Sequence, residues 1–428
     1  MTFREPSLER AATVRRDPLP AGLEQRLSRA LGLAARVVDA FADDGFVDVE
    51  AAFNSFGPEK VVAETAMLLH AASALRARPA IREQVDELAE RLAPHARSQR
   101  VRAEMALFPS RAYKLVVPHV LLTLAGYADR AFDTFARDRC ALASRFAFDV
   151  PTSAHLERLW IQSLWDDEPL VVSTELLAVS FLARPVDVLA GTREEVYGLT
   201  HLLFYLTDFG SHGPVEFARP VEAVLADIEA LLLRFLEAED YDLSGELLMA
   251  WPLLNVPWSP TATFAFRVLS SVEDEVGLLP CGNVDLERLN ALDGADRARY
   301  ALATAYHTAF VMGFLCAATL RPGRPAPTTI EEGIAATGAV DAFRVFVDDD
   351  QGHWQPVWAS CSARERSALA PALCSLGVLQ ALRRLDYERV RELLLIAHGE
   401  GLGHLPLIAA AIEHLMGISQ AAAVGGER

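Results

Sequence analysis

His201, Asp208 and His212 are the residues of this sequence whose types and spacing best suit chemistry. They follow one another at i, i+7 and i+11, positions that share one stripe of an ideal helix. An imidazole oriented by a carboxylate, or by the neighbouring Thr200 hydroxyl, can transfer a proton, and such a cluster can also bind a metal. The surrounding segment is apolar and aromatic, so a buried polar group in it needs a partner. We take these three residues as candidate catalytic residues.

The same residues also allow a purely structural interpretation. His201 would then be a core histidine bonded to a neighbouring helix, and Asp208 and Gly210 would form a polar helix end. Because glycine favours helix termination, we expect the helix to stop before His212, which places this histidine on the following loop. The sequence leaves both interpretations open.

Further polar and aromatic residues could line a cavity beside His201. His307 and His119 each stand alone in an apolar helix, where a histidine is more often structural. Cys281 lies on a loop, and together with histidine and aspartate it could bind zinc, although no spacing demands this. The cofactor is therefore unknown, with a divalent metal as one option. The expected substrate-binding residues are Tyr197, Thr200, Tyr205, His307 and Trp251.

Two other local patterns favour turns over chemistry. The acidic run Asp348–Asp350 and the following QGHWQP are typical of a tight turn, and the alternative is an acid cluster that protonates a substrate or holds magnesium. HGEGLGH at 398–404 could admit a phosphate, but a flexible connection fits better because the P-loop lysine is missing. The chain contains no nucleotide, flavin, metalloprotease or serine-hydrolase motif.

The elements that must position these residues are helices. Apolar residues recur at three- and four-residue spacing in three segments, and glycine or proline separates these segments. The segments start at Leu23, Pro58 and Ala80. YKLVVPHVLLTLAGYAD is apolar nearly all round and contains Pro118, which predicts a buried, kinked helix. The one plausible strand is DAFRVFVDD at 341–349. Further helices are predicted at 154–165, 172–183, 192–209, 217–238, 242–252, 262–271, 284–291, 296–319, 363–383, 387–396 and 404–418.

An irregular internal repeat runs through these helices. An acidic residue heads three apolar segments, VAETAMLLHAAS, VSTELLAVSFLA and LSGELLMAWPLL, and helices with Tyr and His follow them in YKLVVPH, YGLTH and YHTAF. The pattern fits stacked helical hairpins, although its spacing is too uneven for a strict tandem array. We therefore predict an all-α fold, an α/α toroid or an α-solenoid built from helical hairpins. The toroid is favoured because its inner helices would be apolar on every side.

Composition and charge limit the function classes. The chain has 428 residues, 51% of them apolar, and a formal net charge of −18. Without a basic run, nucleic-acid binding is not expected. Five scattered cysteines, no signal peptide and no apolar run of about 18 residues predict a cytoplasmic protein without a membrane span. We expect a flexible N-terminal arm at 1–20 and a single large helical domain at 21–428, with sub-boundaries near 150 and near 325–360.

Two short stretches resemble known proteins. DDDQGHW and the Y..TH helix are similar to α/α-toroid enzymes, namely terpene cyclases, protein prenyltransferases and lanthionine cyclases. The first stretch resembles the glutamine/tryptophan turns that recur between the barrel helices of terpene cyclases, but it occurs once here. The zinc-ligand motifs of lanthionine cyclases are missing, so those ligands are not carried over. THLLFYLTDFG resembles uncharacterised actinobacterial proteins, some encoded near secondary-metabolite genes, which implies a setting and no particular reaction.

These patterns predict a small-molecule tailoring enzyme of cyclase, isomerase or hydrolase type. A small or lipophilic substrate would occupy an aromatic-lined cavity, with His201 as the proton-transfer residue. The alternative is a non-catalytic α-helical repeat scaffold or regulator that binds a peptide or protein on an acidic face. A homo-oligomer is compatible with both. Enclosure of His201, Asp208 and a second histidine around one void would favour the enzyme, whereas histidines in separate cores would favour the scaffold.

Overall fold

The chain is all-α, as the sequence predicts. The computed structural model describes residues 19–43, 45, 57–145, 151–212, 217–282, 284–327, 330, 339–344 and 352–425. Across these residues the backbone forms helices and turns, and no strand occurs among them. The predicted turn at Asp348–Asp350 lies outside the described residues.

The helices are numbered here in chain order. The first group is α1 (Leu19–Phe41), α2 (Pro58–Ser73), α3 (Pro79–Ala96), α4 (Gln99–Leu107), α5 (Ala112–Leu124), α6 (Arg130–Ala143), α7 (Thr152–Asp166), α8 (Thr174–Ala178), α9 (Arg193–Thr207), α10 (Val221–Glu237) and α11 (Tyr241–Leu248). The second group is α12 (Ala250–Leu254), α13 (Pro260–Val276), α14 (Leu286–Ala291), α15 (Gly294–Thr319), α16 (Ala339–Arg344), α17 (Gln355–Ser360), α18 (Ala363–Ala368), α19 (Ala370–Arg383), α20 (Tyr387–Gly399) and α21 (Pro406–Gly425).

Two predicted elements differ from the structure. The predicted strand at 341–349 is wrong where it is described, because 341–344 belong to α16 and Phe343 is fully buried there. Packing of that ring overrides the alternating pattern, and 345–349 lie outside the described residues. The helix predicted at 172–183 shortens to α8, which buries none of its residues. A helix without an apolar contact face has little to stabilise it in water.

Two predicted helices are each divided in two. The segment 242–252 forms α11 and α12, and Pro252 inside α12 has no backbone N–H to continue the hydrogen-bond series from α11. The segment 363–383 forms α18 and α19, and Pro371 lies in the first turn of α19, a position that suits a helix start. The connection at 398–404 contains a 3₁₀ turn, Leu402–His404, in which Nδ1 of His404 bonds to the Gly401 carbonyl at 2.9 Å.

Helix α15 is the core of the first two thirds of the chain. It packs against α1, α2, α11, α12 and α14. It is the one described helix long and apolar enough to cross a membrane, but 83% of its most apolar window is buried inside the fold, as is typical of a core helix. The contacts between six of the helices form a closed series. Helix α2 contacts α5, α5 contacts α7, α7 contacts α9, α9 contacts α11, α11 contacts α15, and α15 contacts α2. The toroid and the solenoid both stay predictions.

Small residues allow α15 to approach its neighbours closely. A Cβ atom at Gly313 would lie 2.7 Å from Cβ of Ala30 on α1 and 2.9 Å from Leu68 on α2. At Gly245 on α11, a Cβ atom would lie 2.6 Å from Val311 on α15. Gly313 therefore sets the distance of α15 from α1 and α2, and Gly245 sets its distance from α11.

Candidate functional site

Helix α11 places two carboxylates on one face. Asp242 and Glu246 are four residues apart, so their side chains leave the helix in the same direction. Asp240 precedes the helix and caps it, because its carboxylate accepts a hydrogen bond from the backbone N–H of Leu243. The side chains of Asp242 and Glu246 are only 10% and 3% exposed. Buried carboxylates need partners, and here neighbouring helices provide them.

Helix α15 supplies an imidazole that faces both carboxylates. Nε2 of His307 lies 3.4 Å from Oδ1 of Asp242 and 4.0 Å from Oε1 of Glu246. The other ring nitrogen, Nδ1, lies 3.2 Å from Oε1 of Glu64 on α2. His307 is thus enclosed by carboxylates from two other helices.

Helix α9 contributes two hydroxyls and a second imidazole. Its first turn is held by a capping box between Thr192 and Glu195, which explains why the helix starts where it does. The Tyr197 hydroxyl donates to Oδ2 of Asp242, and the Thr200 hydroxyl donates to Oε2 of Glu246. Nε2 of His201 lies 3.7 Å from Oε1 of the same glutamate.

Helix α7 adds a fourth carboxylate beside aromatic rings. Burial and the nearby charge of Glu157 raise the pKa of Tyr205, whose ring stacks on Trp160 at a centroid distance of 5.1 Å. The Tyr205 and His201 rings are 6.1 Å apart. We define the interior cluster as Glu64, Glu157, Tyr197, Thr200, His201, Tyr205, Asp242, Glu246 and His307.

Charges within the interior cluster shift its pKa values strongly. Burial disfavours the charged form of His307, but Asp242 and Glu64 outweigh this effect and raise its pKa to about 10. Burial also disfavours the ionised form of Glu64, yet the charges of His307 and Lys60 lower its pKa to about 2. These residues form a charged ion-pair network.

His201 and its neighbours follow the same logic. Burial opposes protonation of His201, but the nearby carboxylates of Glu246 and Glu157 together outweigh it, so the pKa of the imidazole is raised. Burial opposes ionisation of Glu246, but the charges of His201 and His307 and the Thr200 hydroxyl together outweigh it, so the pKa of Glu246 is lowered. For Glu157, burial dominates and the pKa is raised. Perturbed groups of this kind are concentrated at functional sites.

The interior cluster retains accessible surface although helices surround it. The His201 side chain is 36% exposed and the His307 side chain 28%, while Glu246 behind them is almost completely buried. Burial is nevertheless the largest influence on the pKa of both imidazoles, as expected for side chains enclosed by surrounding helices. We call the accessible space beside His201 the recess. The rings of Tyr197, Phe204 and Tyr205 border this recess at 5.9, 5.6 and 6.1 Å from the His201 ring.

The interior cluster lies within the part of the chain that a known family covers. The family model for a domain of unknown function, DUF6895, matches residues 27–317. The chain belongs to the DUF6895 family. No curated protein and no solved structure gives a match. Helices α16 to α21 lie beyond the DUF6895 match, so the family and the interior cluster share the first two thirds of the chain.

Five of the predicted site residues meet within the DUF6895 domain. His201, Tyr197 and Thr200 face α11, Tyr205 faces α7, and His307 joins them from α15. The sequence therefore located two of the helices that carry the interior cluster and both of its imidazoles.

The structure does not bring together His201, Asp208 and His212. Asp208 ends α9 in the left-handed conformation and accepts hydrogen bonds from Nε2 of His70 at 2.8 Å and from Nε1 of Trp160 at 2.9 Å. This turn removes it from the helical stripe that ideal spacing predicts. His212 follows the helix end, as predicted, and is exposed. Neither residue contacts His201, which takes Glu246 as its carboxylate partner.

Trp251, His119 and Cys281 also lie apart from the interior cluster. Trp251 is buried in α12 and stacks on Trp258. His119 belongs to a separate group with Arg97 and Asp133. Cys281 is a free, half-buried thiol. The one group of His, Cys, Asp or Glu side chains close enough to hold a metal among the described residues is Asp242, Glu246 and His307.

Sequence analysis missed the four carboxylates of the interior cluster as site residues. Two of them, Glu64 and Glu246, are the acidic residues in VAETAMLLHAAS and LSGELLMAWPLL, and both meet the Tyr/His helices YGLTH and YHTAF. The third acidic segment does not take part, because Glu175 is exposed on α8. The useful signal was thus present in the repeat. A second signal, Asp242 and Glu246 one turn apart in an apolar helix, was also available.

Proposed function

We propose that the chain is an enzyme that binds a small molecule in the recess beside His201 and transfers a proton through this imidazole. A single observation carries the proposal: an accessible imidazole is backed by the buried carboxylate of Glu246. A carboxylate behind a histidine orients the ring and stabilises its charged form, while the exposed edge reaches the substrate. His201 is the catalytic residue of this proposal, and Glu246 is a positioning residue.

The lining of the recess limits the substrate class. Aromatic rings of Tyr197, Phe204 and Tyr205 surround His201, and four carboxylates lie deeper in the interior cluster. Such surroundings favour an uncharged or lipophilic substrate over an anionic one. Cyclisation, isomerisation and hydrolysis remain the reaction types proposed. The cytoplasmic location, the setting in secondary metabolism and a homo-oligomeric state stay predictions.

The arrangement of the helices supports the enzyme over the scaffold. His201 and His307 share one recess instead of lying in separate cores, although Asp208 is not part of it. The closed succession of contacts from α2 through α15 suits a helical barrel around the interior cluster. We propose the toroid on this basis.

The test compares two full-length variants with the natural chain. Each protein is incubated with a small-molecule extract of cells that produce it, and mass spectrometry follows the compounds consumed. We expect the natural chain to consume at least one compound, and His201→Ala to slow this by about 100-fold or more, as removal of a proton-transfer group does. Glu229→Gln, a half-buried carboxylate on α10 outside the interior cluster, is the matched control and should retain turnover. Equal rates in His201→Ala and the natural chain would rule out this role for His201.

A further inference from the structure

We propose that Asp242, Glu246 and His307 bind one divalent transition-metal ion. This proposal goes beyond the proposed function, because ion binding can be measured whether or not the chain is a catalyst. It concerns the two residues of α11 and the one residue of α15 whose ligand atoms lie within 4.8 Å of one another.

The distances between the ligand atoms match a small coordination sphere. Nitrogen and oxygen ligands about 2.0–2.2 Å from a zinc-sized ion lie roughly 3.3 Å apart in a tetrahedron. His307 Nε2 lies 3.4 Å from Asp242 Oδ1 and 4.0 Å from Glu246 Oε1. The third separation, between the two carboxylates, is at most 4.8 Å. Side-chain adjustments of up to about 1.5 Å, with release of the proton from His307 to solvent, therefore bring all three atoms to one ion.

The two proposed carboxylate ligands each have their other oxygen held by a hydroxyl. Oδ2 of Asp242 accepts from the Tyr197 hydroxyl, and Oε2 of Glu246 accepts from the Thr200 hydroxyl. Nδ1 of His307 lies 3.2 Å from the Glu64 carboxylate, an ion pair that makes no hydrogen bond. Metal-binding histidines commonly have such a carboxylate behind them, and metal-binding carboxylates are commonly hydrogen-bonded in the same way. The outer oxygens of both carboxylates are thus fixed, and the inner atoms of all three ligands lie close together.

One inner atom has no hydrogen-bond partner. Oδ1 of Asp242 is buried and, among the described residues, accepts no hydrogen bond, although its side chain is only 10% exposed. An unpaired buried carboxylate oxygen is costly, and a cation at this point would remove the cost. The ion pair with His307 is the competing explanation, but its geometry falls short of a hydrogen bond.

The ligand types select the class of ion. Imidazole with carboxylates suits zinc, iron, manganese or cobalt, whereas magnesium prefers an all-oxygen octahedral shell. Three protein ligands leave at least one position for water or substrate, as at catalytic zinc sites. Nε2 of His201 lies 3.7 Å from Oε1 of Glu246, so the proposed ion and the proposed catalytic imidazole share one carboxylate.

The experiment measures ion binding by the full-length chain without any substrate. The protein is freed of metal with a chelator and titrated with Co²⁺, Zn²⁺ and Mg²⁺ by calorimetry, and the visible absorption of bound Co²⁺ reports its coordination. We expect one Co²⁺ or Zn²⁺ per chain and much weaker binding of Mg²⁺. Asp242→Asn and Glu246→Gln keep the shape of the ligands and should each weaken binding by about 100-fold, at the upper end of the cost of disturbing a metal site.

Two further kinds of variant make the result specific. Tyr197→Phe and Thr200→Val leave all three ligands in place but remove their orienting hydroxyls, and each should weaken binding by about tenfold. Glu229→Gln should bind as the natural chain does.

Should the natural chain bind neither Co²⁺ nor Zn²⁺, or should Asp242→Asn and Glu246→Gln bind as tightly as it does, the proposal is overturned. An equal loss in Glu229→Gln would also overturn it, since binding would then not depend on these ligands. Turnover is not measured, so a failure here is distinct from a failure of the proposed function.

Discussion

His119 and His307 start from the same sequence pattern, a single histidine in an apolar helix, and reach opposite environments. His119 is completely buried, its Nδ1 accepts a hydrogen bond from Arg97 at 3.0 Å, and its Nε2 lies 3.4 Å from Asp133. Burial and the Arg97 charge lower its pKa. His307 keeps 28% of its side chain accessible, and Asp242 and Glu64 overcome its burial to raise its pKa to about 10.

The difference teaches that the partner helices decide what a histidine does. His119 has an arginine on one ring nitrogen, so it is held neutral and all its polar atoms are occupied. His307 has carboxylates on both sides and an accessible edge. The apolar residues around each histidine in the sequence are alike, and the distinguishing charges come from other helices. The stability of the fold should therefore depend on His119, and its chemistry on the interior cluster.

The largest expected effect separates His119 from His201. His119→Ala leaves a cavity and deprives the Arg97 side chain of its acceptor, so we expect the free energy of unfolding to fall by about 3 kcal/mol. His201→Ala removes a partly accessible ring and should cost less than about 1 kcal/mol. Urea unfolding of both variants and the natural chain measures the difference. A smaller loss for His119→Ala than for His201→Ala would reverse the comparison.

The sequence located the helices of the site better than its chemistry. The start and end of α9, the buried α5 and the presence of polar residues in apolar helices follow from local rules, since caps, glycine and periodicity act over a few residues. The pairing of His201 with Glu246 is set by the contact of α9 with α11, and no local rule specifies that contact. Sequence spacing favoured Asp208 because an ideal helix was assumed to continue through it.

The structure also shows why some helices were missed. Helices α4 and α6 begin at the side-chain caps of Ser98 and Asp129, which are recognisable only once the polar segments around them are taken as helical. Helix α6 is rich in charged residues, and its apolar contact face is narrow. In contrast, α15 and α11 were predicted from their long apolar patterns, although the exact end of α11 depends on Pro252 in the next helix.

Asp208→Asn tests the environment of a third histidine, His70, which bonds to Asp208. The exposed fraction of the His70 side chain lies between those of His119 and His307. Burial opposes ionisation of Asp208, but hydrogen bonds from His70 and Trp160 prevail and lower its pKa from 3.8 to about 2. Replacing the carboxylate should lower the free energy of unfolding by about 2 kcal/mol near neutral pH. Because the folded pKa lies below the unfolded one, this stabilisation is complete above pH 3.8 and is lost as the pH falls toward about 2.

Unfolding experiments between neutral and acidic pH provide the measurement for Asp208. The difference in stability between the natural chain and Asp208→Asn should shrink as the pH falls below 3.8. Asp43→Asn is the control, because Asp43 is exposed and pairs with His95 at the surface, and it should change stability by less than about 0.5 kcal/mol. A pH-independent difference for Asp208→Asn would mean that its charge does not stabilise the fold.

Gly245→Ala should disturb the interior cluster while leaving the His119 group intact. The added Cβ atom would lie 2.6 Å from Val311, so α11 and α15 must separate, and Asp242 and Glu246 move away from His307. We expect a loss of about 1.5 kcal/mol in stability from overpacking and a weaker affinity for Co²⁺. Gly313→Ala is the matched control, because it crowds α15 against Ala30 and Leu68 instead. Equal Co²⁺ affinity in the two variants would argue against the α11–α15 contact as the determinant of the site.

The smallest expected effect concerns how firmly α9 holds the interior cluster. The Thr192 hydroxyl accepts from the backbone N–H of Glu195 at 3.2 Å, and the Glu195 carboxylate accepts from the backbone N–H of Thr192 at 2.6 Å. Thr192→Ala removes half of this capping box and should lower the free energy of unfolding by about 1 kcal/mol. Ser362→Ala removes the matching cap of α18, which carries no cluster residue, and should cost a similar amount. Only Thr192→Ala should also weaken Co²⁺ binding, because fraying of α9 loosens the hydroxyls of Tyr197 and Thr200 that orient the ligands. If both variants weaken binding equally, the effect is one of overall stability, and the cap of α9 has no special part in shaping the site.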